Sequence, residues 1–333
     1  MMTAPARHRM LRGAAGLAVL TLLATGCGDD DPEPAGPPAA SGAPEQVTLR
    51  VGDVLGTPAA FLQYAVQQGF FTEQSLDVQV EPNPGGAANI PGVAAGDFEI
   101  AGSNLVSVLL ARSQGLGLRL ISAGTFGGDS AETDFAQILV ADDSDIQGPA
   151  DLDGRSVAVN TLANVAEVTA RASIENAGGG HENIDFVELG FPDMIPALQD
   201  GQVDAIFEIE PFVSIGLEQG LRPVIAPYAG TQPGLAIGSY FSSDEFIAQN
   251  PDVIERFVTG VSAAGTAIAE NPDEFRTALV DLADLDPEVA EAVVIPTWGG
   301  PVDVPSVQLT ADLMVRYQLI DQAPPIDEVV YQG

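Results

Sequence analysis

Residues 204–212 read DAIFEIEPF. Ala205, Ile206, Phe207 and Ile209 suit a buried strand, but Glu208 and Glu210 stand among them and Pro211 follows. A carboxylate in a dry core costs several kcal/mol unless it is paired or neutralised. Glu208 and Glu210 fall two residues apart, so in a strand they share one face. The neighbouring sequence offers a way out: the run is the third strand of a unit that occurs twice.

The first copy opens with VTLRVGDVLG (47–56), which reads as a strand. Thr57 and Pro58 then suit the N-cap and first position of a helix over AAFLQYAVQQGFF, with Phe61, Leu62, Ala65 and Val66 as its buried stripe and Gly69 as its stop. LDVQVEP (76–82) is the next strand, and PGVAAGDFEIAGSN (91–104) leads through a short helix into a third. A helix over 105–114 and a strand over 118–125 follow. The second copy runs RSVAVNTLAN (155–164) as strand, VAEVTARASIENAGGG as helix, IDFVELG (184–190) as strand, PDMIPALQDG as short helix and VDAIFEIEPF as strand. Leu49 to Glu99 is 50 residues and Val157 to Asp204 is 47, so the spacing matches.

Alternating strands and helices repeated in this way predict an α/β fold of two doubly wound, parallel-sheet lobes. Ligands of such sheets bind outside the carboxyl ends of the strands. Those ends nominate Leu55, Gly56, Thr57, Ser103, Asn104 and Thr125 in the first lobe. In the second they nominate Asn160, Thr161, Asn164, Glu208 and Glu210. On this reading the two acids lie where the strand leaves the core for the cleft, outside the apolar layer. Ser103-Asn104 and Asn160-Thr161 could donate to a ligand, but capping the next helices is an equally good use of them.

The ends of the chain add a location. Arg7, Arg9 and Arg12 precede an apolar run from about Gly13 to Ala24, too short for a mature span and laid out as a secretory signal. It ends in Ala24-Thr25-Gly26-Cys27, which resembles a bacterial lipobox with Ala24 in place of the commoner leucine. Residues 1–26 would then be removed and Cys27 lipidated. The alternative is an ordinary signal beside a stray cysteine, although Cys27 is the only cysteine of 333 residues. Residues 27–46 are proline-rich with little to bury, a tether of at most roughly 60 Å. From Val47 the chain is globular and long enough for two lobes.

Past the signal, 47 acidic residues stand against nine arginines, and lysine is absent. Such a surface repels nucleic acid and anionic lipid. A lysine-poor genome or adaptation to salt would give the same composition.

In order and spacing, GDFEIAGSN (96–104), ADLDGRSVAVN (150–160), DGQVDAIFEIEPF (200–212) and IPTWGGPVD (295–303) resemble the type II substrate-binding proteins of ABC importers. The likeness is to the branch that covers nitrate, taurine, aliphatic sulfonates and thiamine-pyrimidine precursors, and it spans nearly all of 47–333. It implies that the first lobe is built from both ends of the chain, with two crossovers near 124–134 and 227–235. The lobes would then be 47–128 with 232–333, and 129–231. It also implies an ABC permease and its ATPase as partners, a monomer, and no cofactor or metal. An acid-proline pair near the ligand is common in the branch, which singles out Glu210. Trp298 is either a stacking wall for a ligand or a packed core residue.

Relatives on this fold include thiamine-pyrimidine synthases, which need a lysine-bound pyridoxal phosphate and a histidine. Without lysine that chemistry is excluded. Ser-His-Asp hydrolysis and a histidine-rich zinc site have only His181 to draw on past the signal, within GGGHENID. The calcium-loop start at Asp143 finds Gly154 where glutamate belongs. Arg50, Arg119 and Arg155 enter their strands from the end away from the cleft. The expectation is therefore a non-enzymatic binding protein for a thiamine-pyrimidine-like ligand, an amine or a zwitterion such as taurine, ahead of sulfonate or nitrate. The alternatives are a sensing lobe for a membrane receptor and a hydrolase on the same fold.

Overall fold

A computed structural model describes residues 45–333; the signal, Cys27 and the tether through residue 44 lie outside the described residues. In chain order the strands are β1 (Val47–Val54), β2 (Leu76–Asn83), β3 (Ile100–Asn104), β4 (Leu118–Ala123), β5 (Thr125–Phe126) and β6 (Ala136–Val140). They continue with β7 (Ser156–Val159), β8 (Asp185–Glu188), β9 (Ala205–Ile209), β10 (Arg222–Ile225), β11 (Gly238–Ser243) and β12 (Thr297–Trp298). One sheet has the order β2-β1-β3-β11-β4, a second β10-β6-β9-β7-β8, and β12 pairs with β5.

The two α/β sheets are as expected, each parallel apart from one reversed strand. β1, β2 and β3 are parallel, as are β7, β8 and β9, but β11 runs antiparallel to β3 and β4, and β6 antiparallel to β9 and β10. The reason is connectivity. Each reversed strand is the first to arrive from the other lobe. A chain leaving one carboxyl edge enters the facing sheet at the facing edge, and so runs against its neighbours.

Helices α1 (Thr57–Gln67), α2 (Gly86–Ala95) and α3 (Leu105–Ser113) accompany the first sheet. α4 (Val165–Asn176), α5 (Phe191–Gln199), α6 (Phe212–Glu218) and α7 (Pro227–Thr231) accompany the second. After β11 come α8 (Asp244–Gln249), α9 (Pro251–Glu270), α10 (Pro272–Leu282), α11 (Pro287–Ala292), α12 (Val304–Arg316) and α13 (Ile326–Val329). α9 returns to the first sheet, where Phe257 stacks on Phe71 at 5.3 Å and meets Tyr240 edge-on. Each fully buried phenylalanine of this kind is worth about 1.5–3 kcal/mol. Among the described residues no helix is long and apolar enough to cross a membrane.

Gly56, not Thr57, caps α1. The turn needs a φ of 105°, and a Cβ there would meet the Glu210 carbonyl oxygen at 3.1 Å. The two segments that pass between the sheets are laced together: Gly127 N–H donates to Leu235, Gly234 N–H to Gly128 and Ile237 N–H to Thr125. Asp134, in the first of them, accepts from the Ala229 N–H of the second at 2.7 Å.

Candidate ligand cavity

The carboxyl edges of the parallel strands face each other across a cavity of about 60 Å³. β1 delivers Asp53 and Val54 to it, β3 delivers Ser103 and Asn104, and Thr125 opens β5 beside it. Asn160 arrives at the end of β7, and Phe207 and Ile209 from β9. The two reversed strands bring their starts to the same place, so Phe135 and Gly238 to Tyr240 join the lining with Tyr228, Val165 and Phe191. Phe135 and Phe207 both pack against Tyr228, at 5.1 and 5.7 Å between ring centres, so one wall is aromatic.

Asp53 is the only charged residue on this lining and is 2 % exposed. Its carboxylate accepts from its neighbour Val54 N–H at 2.8 Å and from the Tyr240 hydroxyl at 3.2 Å. Burial pushes Asp53 up to about 7, and the two hydrogen bonds pull against that rise. Gly102 makes the site possible, because a Cβ there would stand 2.0 Å from Asp53 Oδ1. Nearby, the buried Ser103 hydroxyl has no partner, and a Cβ on Gly86 would meet it at 2.3 Å.

Among the described residues no arginine reaches the cavity. Arg50 pairs with Glu99, Arg112 and Arg119 share Asp244, Arg155 takes Asp145, and Arg171 takes Glu167. Arg256, Arg276 and Arg316 hold Asp252, Asp273 and Glu175, while Arg222 donates to the carbonyls of Ser144 and Ile146. The cavity thus offers a carboxylate and neutral polar groups, and no side-chain cation.

Of the residues nominated from sequence, Ser103, Asn104, Thr125 and Asn160 line this cavity. Asn104 is already engaged as the cap of α3, accepting from Ser107 N–H at 2.9 Å. Asn164 caps α4 and also accepts from the Ser107 hydroxyl across the cleft at 3.2 Å. Thr161 and Asn160 sit opposite Gly85, where a Cβ would come within 3.0 Å of each. Leu55 is 37 % exposed and points away, and Gly56 and Thr57 meet Glu210 instead of the cavity.

The reading of the two acids needs correction. Glu208 is 0 % and Glu210 1 % exposed, so both are inside the fold. Phe207 and Ile209 line the cavity, and alternation along β9 sends Glu208 to the opposite face, across from Gln137. Both Glu208 oxygens lack a hydrogen-bond partner, and burial drives its pKa well above the ordinary value. Glu210 has partners, but they are Ser214 and Val294. Trp298 belongs to the core, stacked on Phe61 at 4.9 Å and edge-on to Phe275.

Asp53 escaped the sequence reading although a signal was present. Leu49, Val51 and Asp53 share one strand face, and the first two are fully buried. Parity alone put a carboxylate on the core face, one residue short of the strand end.

Two lobes closing an interlobe cavity at the carboxyl edges define the architecture of the extracytoplasmic solute-binding proteins. Solved structures agree. The alkanesulfonate-binding protein of Xanthomonas axonopodis pv. citri, bound to MOPS, superposes with a TM-score of 0.71 at 20% identity, over 85% of this chain and 96% of its own. The aliphatic sulphonate-binding protein of Escherichia coli gives 0.70 at 21%, over 87% and 98%. At such identities the likeness speaks to the fold. The chain belongs to the family described as NMT1/THI5 like, whose pattern matches residues 57–275. A formylaminopyrimidine-binding protein of Halalkalibacterium halodurans is 27% identical over 146 residues, 44% of this chain and 42% of that protein. The match thus spans under half the length of that relative.

Proposed function

We propose that this chain is the extracytoplasmic solute-binding component of an ABC importer, closing its lobes on a small ligand that offers N–H donors to Asp53. The favoured class is an aminopyrimidine related to thiamine precursors, followed by amines and zwitterions such as taurine. Sulfonate and nitrate rank lower. Asp53 carries this reading: donors from a ligand favour its carboxylate form, which only accepts hydrogen bonds, and an anion placed beside it has no arginine among the described residues to hold it. An aminopyrimidine presents adjacent donors to such a group and a flat face to the aromatic wall. The name of the Halalkalibacterium relative supports the same class.

The wider reading includes cleavage of residues 1–26, a lipid on Cys27, a tether to residue 46, lobe boundaries near 128 and 231, a permease and ATPase as partners, and a monomer. Ser103, Asn104, Thr125 and Asn160 supply the remaining polar contacts to the ligand. Binding without turnover fits the residues at hand. There is no lysine, and His181 stands away from the cavity beside Glu175 and Tyr317.

Calorimetry with formylaminopyrimidine, taurine, an alkanesulfonate and nitrate tests the proposal, on wild type and Asp53→Asn. A charge-assisted hydrogen bond is worth about 1.5–3 kcal/mol, so the variant should bind the aminopyrimidine at least about tenfold more weakly. Tight sulfonate binding that Asp53→Asn leaves unchanged would overturn the assignment.

A further inference from the structure

We propose that Glu210 is the latch of the closed molecule, binding lobe to lobe without touching the ligand. This rests on the reading above that the lobes close on a ligand.

Glu210 follows β9 in lobe two, and its main chain and side chain both reach lobe one. Its carbonyl oxygen accepts from the N–H of Thr57 at 3.2 Å and from the Thr57 hydroxyl at 3.3 Å, at the start of α1. One carboxylate oxygen accepts from the N–H of Val294, just past α11, at 3.0 Å. The same oxygen accepts from the Ser214 hydroxyl at 2.9 Å, and the other from the Ser214 N–H at 3.1 Å, within lobe two. Val289, Ala290 and Val293 around α11 pack in the apolar cluster of Phe61 and Phe257, which holds this segment to lobe one, while the Val294 side chain packs against the core of lobe two. Two distant segments of lobe one therefore converge on one residue of lobe two.

Glu210 is turned away from the cavity that holds Asp53 and borders a separate pocket with Ser214, Val289 and Val294. It is 1 % exposed, and both its oxygens are occupied by protein donors. Separating the lobes would strand the Val294 N–H and rehydrate the carboxylate. Ser107 to Asn164 and Arg316 and Tyr317 to Glu175 also join the lobes, but Glu210 is the residue that engages two separate segments of lobe one, at Thr57 and at Val294. The absent Cβ of Gly56 belongs to the same arrangement, since it lets α1 approach the Glu210 carbonyl.

Hydrogen exchange on the full chain without added ligand tests the latch. The informative amide is that of Thr57, because its acceptor is the Glu210 main chain and survives any side-chain substitution. In Glu210→Ala the Thr57 and Val294 amides should both exchange at least about tenfold faster, while Val157 and Phe207 in the second sheet keep their protection. Glu210→Gln retains an acceptor oxygen, and should give a smaller loss at Thr57 if Glu210→Ala does not fold. Ser214→Ala removes only a donor within lobe two and should leave Thr57 protected. Unchanged Thr57 protection in Glu210→Ala or, should that fail to fold, in Glu210→Gln overturns the latch. Because no ligand is added, the result stands apart from the ligand assignment. Lost aminopyrimidine affinity with Thr57 protection intact would return Glu210 to the binding site.

Discussion

Gly102 on β3 leaves the space that the Asp53 carboxylate on β1 occupies; a Cβ on Gly102 would stand 2.0 Å from Asp53 Oδ1. The glycine lies at the centre of the strand, where it costs stability relative to alanine unless the missing side chain has a use. Here the use is to seat an acid between two parallel strands.

Gly102→Ala should therefore displace Asp53 without emptying the cavity. The overlap is with a short side chain in a packed sheet, so the cost to stability is about 1–3 kcal/mol. Aminopyrimidine affinity should fall about as far as in Asp53→Asn, and combining the two substitutions should be less than additive. Calorimetry and denaturant midpoints on the pair decide it. Full additivity would mean that Gly102 acts elsewhere.

Stability should fall as pH rises from 5 to 8. Burial lifts Asp53 and Glu210 to about 7 and Asp134 to about 6, against ordinary values near 4. These groups hold their protons more tightly when folded. Their contribution is complete below the unfolded values and is lost as pH rises through the folded ones. Opposite cases bound the range from below. Main-chain and hydroxyl donors of Ser156 hold Asp204 low, while Asp244 is lowered by Arg112 and Arg119 against its own burial. Support from those pairs disappears only in stronger acid. Urea midpoints at pH 5 and pH 8 check the sign, and a higher midpoint at pH 8 would contradict it.

Glu208→Met should raise stability by about 1–3 kcal/mol at neutral pH. The side chain is fully buried with neither oxygen hydrogen-bonded, and methionine fills similar space without that desolvation cost. Ligand affinity should change far less than in Asp53→Asn, because Glu208 is off the cavity lining. A destabilised variant would show that Glu208 has an unrecognised partner.

The alternation of strands and helices was legible because each β-α unit carries its own periodicity, and the doubling of the unit fixed two sheets. Strand direction was not. β6 and β11 read like any apolar strand, and their reversal follows from where the chain enters each lobe, which no local pattern encodes. Strand ends alone pointed to Ser103, Asn104, Thr125 and Asn160, which line the cavity. Glu208 was misplaced because Pro211 suggested that the strand had already left the core, whereas Ile209 remains buried. Counting alternate positions back from Phe207 would have turned Glu208 away from the cavity. The same count along β1 would have uncovered Asp53.

Asp134 and the three main-chain bonds between the crossing segments make a two-stranded ribbon out of what would otherwise be separate links. A ribbon flexes across its thin dimension and resists shear in its own plane. Lobes that part on such a ribbon would bend across its thin dimension without sliding past each other, and Thr57, Val294 and the cavity walls would return to the same registry on closing.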